Sequence, residues 1–173
     1  MSISSVNSLK ANLTNPARSY LWSVVFPNPI GGGNGDTLML RCQSTSMPGR
    51  SVGNITVPFQ AGADLQYPGK LKYEHTWSCT FLEGEDSAVL TAFYAWAQTI
   101  VNDDTNVGGN QADILSDIYL QMVSTNNVNY AQYRLVNCYV ESIGQVELDY
   151  TTEAIIKVPI TFRYNSWEYS GSE

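Results

Sequence analysis

Charge is scarce in this sequence. Asp, Glu, Lys and Arg make up 14% of it, against about 25% in an ordinary soluble domain. An exterior so poor in charge, and rich in Asn, Ser, Thr and Tyr, points to surface covered by other subunits. A neutral, polar monomer is the weaker reading, because few charges leave a monomer poorly protected from association. Basic runs are also missing. Nine Lys and Arg residues are scattered from Lys10 to Arg163, and the net charge is −7, so counterion release cannot draw the chain to nucleic acid. Cys42, Cys79 and Cys138 are odd in number and lack CxxC spacing. Each sits in a strand pattern beside apolar neighbours, which predicts buried free thiols. Residues 1–15 are polar with Lys10 alone basic, unlike a signal peptide. The apolar runs are too short to span a bilayer, so a soluble protein made in a reducing cytoplasm is expected, with no membrane insertion.

Catalytic constellations are equally hard to find. His75 is the sole histidine, and it falls among Tyr73 and Trp77 on an apolar strand face. A core or interface imidazole is the better reading there than a general base. Metal sites need several convergent ligands, and no second His or Cys/His spacing exists. No GxSxG surrounds a serine. Glu83, Glu85 and Asp86 resemble a glycosidase pair but precede a helix, where capping explains them. Asp103, Asp104, Asn106 and Gly108 lack the frame and terminal Glu of a calcium loop. The run Gly31–Gly35 lacks the Lys-Ser/Thr of a phosphate loop. Trp22, Trp77, Trp96, Trp167 and eleven tyrosines could stack on bases, but such sites need a positive groove. No cofactor and no enzymatic activity are expected.

What is present is alternation. From Leu71 to Phe81, apolar and polar residues alternate with period two, the pattern of a strand with one packed and one wet face. Trp77 and Phe81 fall on the packed face; Glu74, Thr76, Ser78 and Thr80 fall on the other. Acidic residues then precede a helix over 87–101, where the helix dipole favours them, with Leu90 and Phe93 on its apolar side. Residues 19–26 and 37–43 predict a hairpin. Residues 117–123 and 131–143 predict a second, and 145–149 and 154–164 predict two further strands. Pro159 cannot donate to a ladder and marks an edge or a bulge. Segment 44–69 is rich in Pro and Gly yet carries Ile55, Val57, Phe59, Leu65 and Tyr67. Burying those five side chains cannot offset ordering so long a backbone, so it needs backbone pairing, within the chain or across subunits. We expect an excursion that settles on assembly. In all, 173 residues predict one domain, 1–173, mostly β. The fold is an antiparallel β-sandwich or partial barrel with about seven strands, one short helix and edges that need cover.

Several pieces together resemble the tail tube proteins of contractile-tailed bacteriophages. They are residues 17–22 (ARSYLW), 40–48 (LRCQSTSMP), 55–59 (ITVPF), 72–81 running into a helix with 93–96 (FYAW), 138–144 (CYVESIG), 148–150 (LDY) and 156–164. Order, spacing and length carry the match, which covers nearly the whole chain. The resemblance implies hexameric rings whose sheets join into a continuous β-barrel around a channel, stacked into a tube inside a virion assembled in the host cytoplasm. It assigns Ile55, Val57, Phe59, Leu65 and Tyr67 to ring stacking, and offers Glu74, Thr76, Ser78, Thr80, Asn137 and Glu141 as channel-lining candidates. Lys157, Thr161 and Arg163 either join them or lie on an outer or intersubunit surface. The implied partners are further copies of the chain, tail sheath, baseplate and tail terminator proteins, and the tape measure protein and genomic DNA in the channel. Competing readings are the inner tube or baseplate tube-initiator of a phage-derived injection system, a ligand-binding β module, and a hydrolase built around His75.

Overall fold

The computed structural model describes residues 6–13, 15–26, 34–60, 62–151 and 153–171. Its elements are α1 Val6–Asn12, β1 Trp22–Val25, α2 Gly35–Arg41, β2 Cys42–Thr45, β3 Arg50–Val57, β4 Leu65–Tyr73 and β5 Thr76–Leu82. These are followed by α3 Ala88–Ile100, α4 Gln111–Ile114, β6 Ser116–Val123, β7 Asn129–Ile143, β8 Lys157–Arg163 and β9 Ser166–Gly171. Among the described residues, seven strands form one antiparallel sheet in the order β1-β6-β7-β8-β5-β2, with β9 beside β7, and β3 and β4 pair only with each other. The two ends of the sheet do not meet, so the single subunit is not a closed barrel.

The long strand β7 bends this sheet over a core. Its first half pairs with β9, Leu135 opposite Trp167, and its second half with β8, Val140 opposite Phe162. Between the halves, Leu135 and Cys138 both point inward although three residues apart, so one extra residue is accommodated at Asn137, which has φ 56°. Such insertions bend a strand sharply. Asp117 on β6 secures the bend. Its carboxylate accepts the Asn137 N–H at 3.0 Å and the Arg134 Nη2–H at 2.7 Å. Both half-sheets then contribute to one core with α3, in which Phe26, Trp77, Phe81, Phe93, Trp96 and Phe162 form a continuous aromatic cluster. Leu90 packs against it, half-buried. Cys79 and Cys138 are buried and free; burial pushes the Cys138 thiol up to about 12.

Helix α3 begins as its acidic approach predicts. Glu83 turns back so that its two oxygens accept the N–H groups of Val89 at 3.2 Å and Leu90 at 2.8 Å, satisfying donors that have no partner inside the helix.

Three expectations are corrected and one strand is added. Residues 37–43 are not a hairpin arm. Asn34 caps the chain, its side chain accepting the Asp36 N–H at 3.0 Å, and the good helix formers Leu38 to Arg41 coil into α2. Leu38 is consequently buried and Leu40 80% exposed, because residues two apart share a face in a strand but not in a helix. Strand β1 pairs instead with β6, Trp22 opposite Met122. The continuous strand over 71–81 is two strands, broken at His75, whose φ is 59°. Residues 145–149 form no strand, and β9 was not foreseen, although Trp167 and Tyr169 alternate with polar neighbours. The glycine run at 31–33 lies outside the described residues.

Candidate assembly and channel surfaces

Strands β2, β5, β8 and the second half of β7 form a four-stranded surface with two faces of opposite character. Inward it presents Trp77, Cys79 and Phe81 against Val158, Ile160 and Phe162, all buried. Outward it presents Thr76 opposite Arg163, Ser78 opposite Thr161 and Thr80 opposite Pro159. The Ser78 and Thr161 hydroxyls lie 3.3 Å apart. Glu141, on the neighbouring strand, accepts a hydrogen bond from Arg163 Nη2 at 2.6 Å. That bond, reinforced by the carboxylate's charge, raises the Arg163 pKa. Lys157 stands at the far end of the same face. The strand alternation thus brings Thr76, Ser78, Thr80 and Glu141 together with Lys157, Thr161 and Arg163. Glu74 lies beyond the start of β5, and Asn137 sits in the bend of β7 before the ladder with β8 begins, so neither belongs to that ladder.

This four-stranded surface is open on both sides. Among the described residues no strand follows beyond β2. On the other side, β7 past Cys138 has no pairing with β6, the last register pair being Ser116 with Cys138. Pro159 marks the limit of the β7–β8 ladder: its carbonyl accepts the Gly144 N–H at 2.7 Å, just past the last pair, Ile143 with Ile160.

Segment 44–69 holds the second surface. Its backbone is paired, but with itself: β3 and β4 form a two-stranded flap with Ile55 opposite Tyr67 and Val57 opposite Leu65. Those four side chains share one face and all are exposed, as is Phe59 at the tip. Between Val52–Leu71 and Asn54–Pro68 the register shifts by one residue. Two residues of β4 there oppose Gly53 alone. The shift moves Lys72 onto the apolar face, and a Cβ on Gly53 would fall 3.4 Å from Lys72 Cε. The other face carries Asn54, Thr56 and Gln66, whose side chains hydrogen-bond one another.

Side chains of the body clamp the flap at its base. Trp77 Nε1–H donates to the Ser46 carbonyl at 2.8 Å and Trp167 Nε1–H to the Gly49 carbonyl at 3.3 Å. The Arg50 guanidinium lies over the Trp167 ring. His75 sits in the second connection, its Nδ1 3.1 Å from the Tyr164 carbonyl. The lone histidine thus occupies a backbone turn between β4 and β5. Sequence reasoning missed the role of Trp167. It also missed the arm formed by residues 144–156, where Leu148 is 78% exposed and Tyr150 fully so. The strands predicted over 145–149 and 154–164 concealed it, because they assign its apolar residues to a sheet.

A polar sheet face, two open edges and an exposed apolar flap define a β protein whose edges and flap are left uncovered within the single chain. Its kinship is more specific. The family model described as phage tail tube protein matches residues 9–170, and the chain belongs to that family. The tail tube protein of Serratia phage KSP90 is 24% identical over 136 residues, 76% of each sequence. A chain of the sheath–tube complex of PVC, an extracellular contractile injection system, superposes with a TM-score of 0.68 at 14% identity, covering 98% of this chain and 100% of that one. A chain of the tube-terminating cap of the anti-feeding prophage also gives 0.68 at 14% identity, over 91% and 92%. The fold class is therefore that of contractile tube subunits.

Proposed function

We propose that this tail tube protein builds a conduit of stacked hexameric rings, and does no chemistry of its own. The observation that carries this reading is the four-stranded surface with an unpaired edge on each side. Unpaired edges are templates for further strands. If β2 of one copy pairs with the second half of β7 of the next, each copy adds four strands to a ring that closes on itself by a head-to-tail interface. The buried face stays within each subunit, and the hydroxyl face of Thr76, Ser78, Thr80 and Thr161 turns to the channel. Ile55, Val57, Phe59, Leu65 and Tyr67 then serve contacts between rings. The PVC and anti-feeding prophage complexes support partners of the kinds named in them: sheath, tube terminator and baseplate. A tape measure protein and genomic DNA in the channel, and a place in the virion after assembly in the host cytoplasm, belong to the same reading.

Six copies at −7 each carry −42, which disfavours sticking of a phosphate backbone. On the hydroxyl face, however, Glu141 and Arg163 offset each other and Lys157 remains at its far end, among the described residues one uncompensated cation per subunit. Most fixed anions lie elsewhere on the subunit, and between Lys157 and the Arg163 pair the face offers phosphates only hydroxyls.

Negative-stain images of the purified protein test the conduit reading. Rings or tubes with a central hole are expected; a monomer persisting at high concentration overturns it. Deleting Gly53 to Pro68 is expected to abolish tube growth while circular dichroism still reports a folded β subunit. Polymerisation of that variant would remove the flap from the ring contact.

A further inference from the structure

The stacked-ring reading leaves open what receives the flap, and the following inference rests on that reading. The β5–β8 ladder runs from Thr76 opposite Arg163 to Leu82 opposite Lys157, about 20 Å at roughly 3.4 Å per residue. The flap joins this ladder at its Thr76 end, through Glu74 and His75. The arm of residues 144–156 joins it at the other end, running directly into Lys157. Flap and arm therefore leave opposite ends of one rigid ladder. Copies stacked end-on along that direction bring the flap of one towards the arm of the next, a contact of unlike surfaces that propagates without limit.

The two surfaces match in chemistry. The arm departs where Gly144 passes close to β8: a Cβ there would fall 2.6 Å from Pro159 Cγ. Beyond it Leu148, Tyr150 and Ile155 are exposed and line an open groove of about 500 Å³ together with Glu147. Residues 144–156 contain Glu147, Asp149 and Glu153 and no basic residue, a charge of −3. Asp149 accepts hydrogen bonds from the Thr151 N–H and hydroxyl, which leaves Glu147 and Glu153, both exposed, as the outward anions. The flap, residues 50–73, holds Arg50, Lys70 and Lys72 against Asp64, a charge of +2. Arg50 is engaged with Trp167 at the base. The one-residue register shift places Lys70 and Lys72 on the face that carries Ile55, Val57, Leu65 and Tyr67. Each surface is an apolar patch edged by charge, and the charges have opposite sign.

We propose that the apolar face of the flap, with Lys70 and Lys72, docks on the 147–156 arm of a second copy stacked end-on.

Carbodiimide cross-linking, which joins a lysine amine to a carboxylate in contact with it, tests this on the unmodified protein. Tubes are grown from an equal mixture of ¹⁴N- and ¹⁵N-labelled subunits and digested for mass spectrometry. Lys70 or Lys72 is expected to be joined to Glu147 or Glu153 in mixed-isotope pairs, in tubes and not in single rings. Tubes without such links, or links already formed in single rings, overturn the docking. A charge exchange provides a second readout. Lys70→Glu with Lys72→Glu, and separately Glu147→Lys with Glu153→Lys, should each raise the critical concentration for tube growth at least roughly fivefold, as expected when exposed ion pairs become repulsions. The four changes combined should return it to within about twofold of the parent. Doubles that polymerise like the parent, or a combination that does not rescue, overturn the docking while the conduit reading stands. A parent protein that forms no tube removes that reading and the docking with it.

Discussion

Tyr67 and Trp77 are ten positions apart, both large aromatics in antiparallel ladders, yet one is 53% exposed and the other 2%. What separates them is the number of strands available to each. Trp77 lies on β5, flanked by β8 and β2, with a second half-sheet and α3 closing over its inner face. Tyr67 lies on β4, whose sole partner is β3. A two-stranded ribbon pairs its backbone along one side of each strand and has nothing to lay its apolar face against. Body and flap both use antiparallel ladders, but they treat their side chains differently. The body buries its aromatics within the chain; the flap keeps them for another molecule.

Removing one large ring from each region should separate them most widely. Phe162→Ala empties the centre of the aromatic cluster, where Phe26, Trp77, Phe93 and Trp96 all meet the ring. A loss of about 3–5 kcal/mol in urea unfolding of the subunit is expected. Tyr67→Ala should change the same unfolding curve by no more than about 0.5 kcal/mol, while weakening polymerisation. Equal losses of subunit stability would mean that the flap packs on its own body after all, and would break the comparison.

The junction between the regions gives a smaller effect. Trp77→Phe keeps an aromatic ring in the core but withdraws the indole N–H from the Ser46 carbonyl. About 1–2 kcal/mol should be lost, from the hydrogen bond and a modest packing defect. Hydrogen exchange should accelerate at the flap base, around Gly49, Arg50 and Tyr73, with the β5–β8 ladder protected as before. Acceleration spread evenly over the ladder would show that the indole supports the core alone, and that the flap is held by Trp167 and His75 without it.

Legibility in the sequence follows the same division. The body ladders and α3 were readable because period two in Trp77, Cys79, Phe81 and in Val158, Ile160, Phe162, and helical spacing in Val89, Phe93 and Trp96, each report a face pressed on a common core. The flap's apolar side chains were visible as a surplus, but their pairing with one another was not, because Pro58, Gly62 and Pro68 resemble loop punctuation. The break at His75 left no trace, since a left-handed backbone at a non-glycine residue preserves the apparent alternation on both sides of it. Residues 35–41 misled for a different reason. Thr37 to Cys42 mimic a strand because Leu38, Leu40 and Cys42 alternate with Thr37, Met39 and Arg41, yet Leu, Met and Arg are good helix formers and Asn34 caps the turn with its side chain. Parity lists Thr76, Ser78 and Thr80 on the polar sheet face but also Glu74 and Asn137, which the breaks at His75 and in β7 take off that ladder. The Glu141–Arg163 pair requires knowing that β7 and β8 are neighbours. Nor could the arm be read as a surface, because what defines it is the absence of anything beside Leu148 and Tyr150.

The least disruptive prediction concerns the bend in β7, which lets the body enclose a core that a flat ribbon cannot. Burial alone would raise the Asp117 pKa, but the Asn137 N–H and the Arg134 guanidinium together outweigh it and hold the carboxylate below its usual range. A carboxylate whose pKa is depressed in the folded state stabilises that state fully above its unfolded value, about 4. The stabilisation fades as pH falls through the lower, folded value. Asp117→Asn should therefore lower the urea midpoint at pH 7, and the gap between variant and parent should narrow as pH falls below about 4. A gap that stays constant down to pH 2 would mean that the charge of Asp117 contributes nothing. The bend would then be held by Asn137's backbone geometry and the packing of Leu135 and Cys138 on either side, making the body's curvature a matter of shape alone.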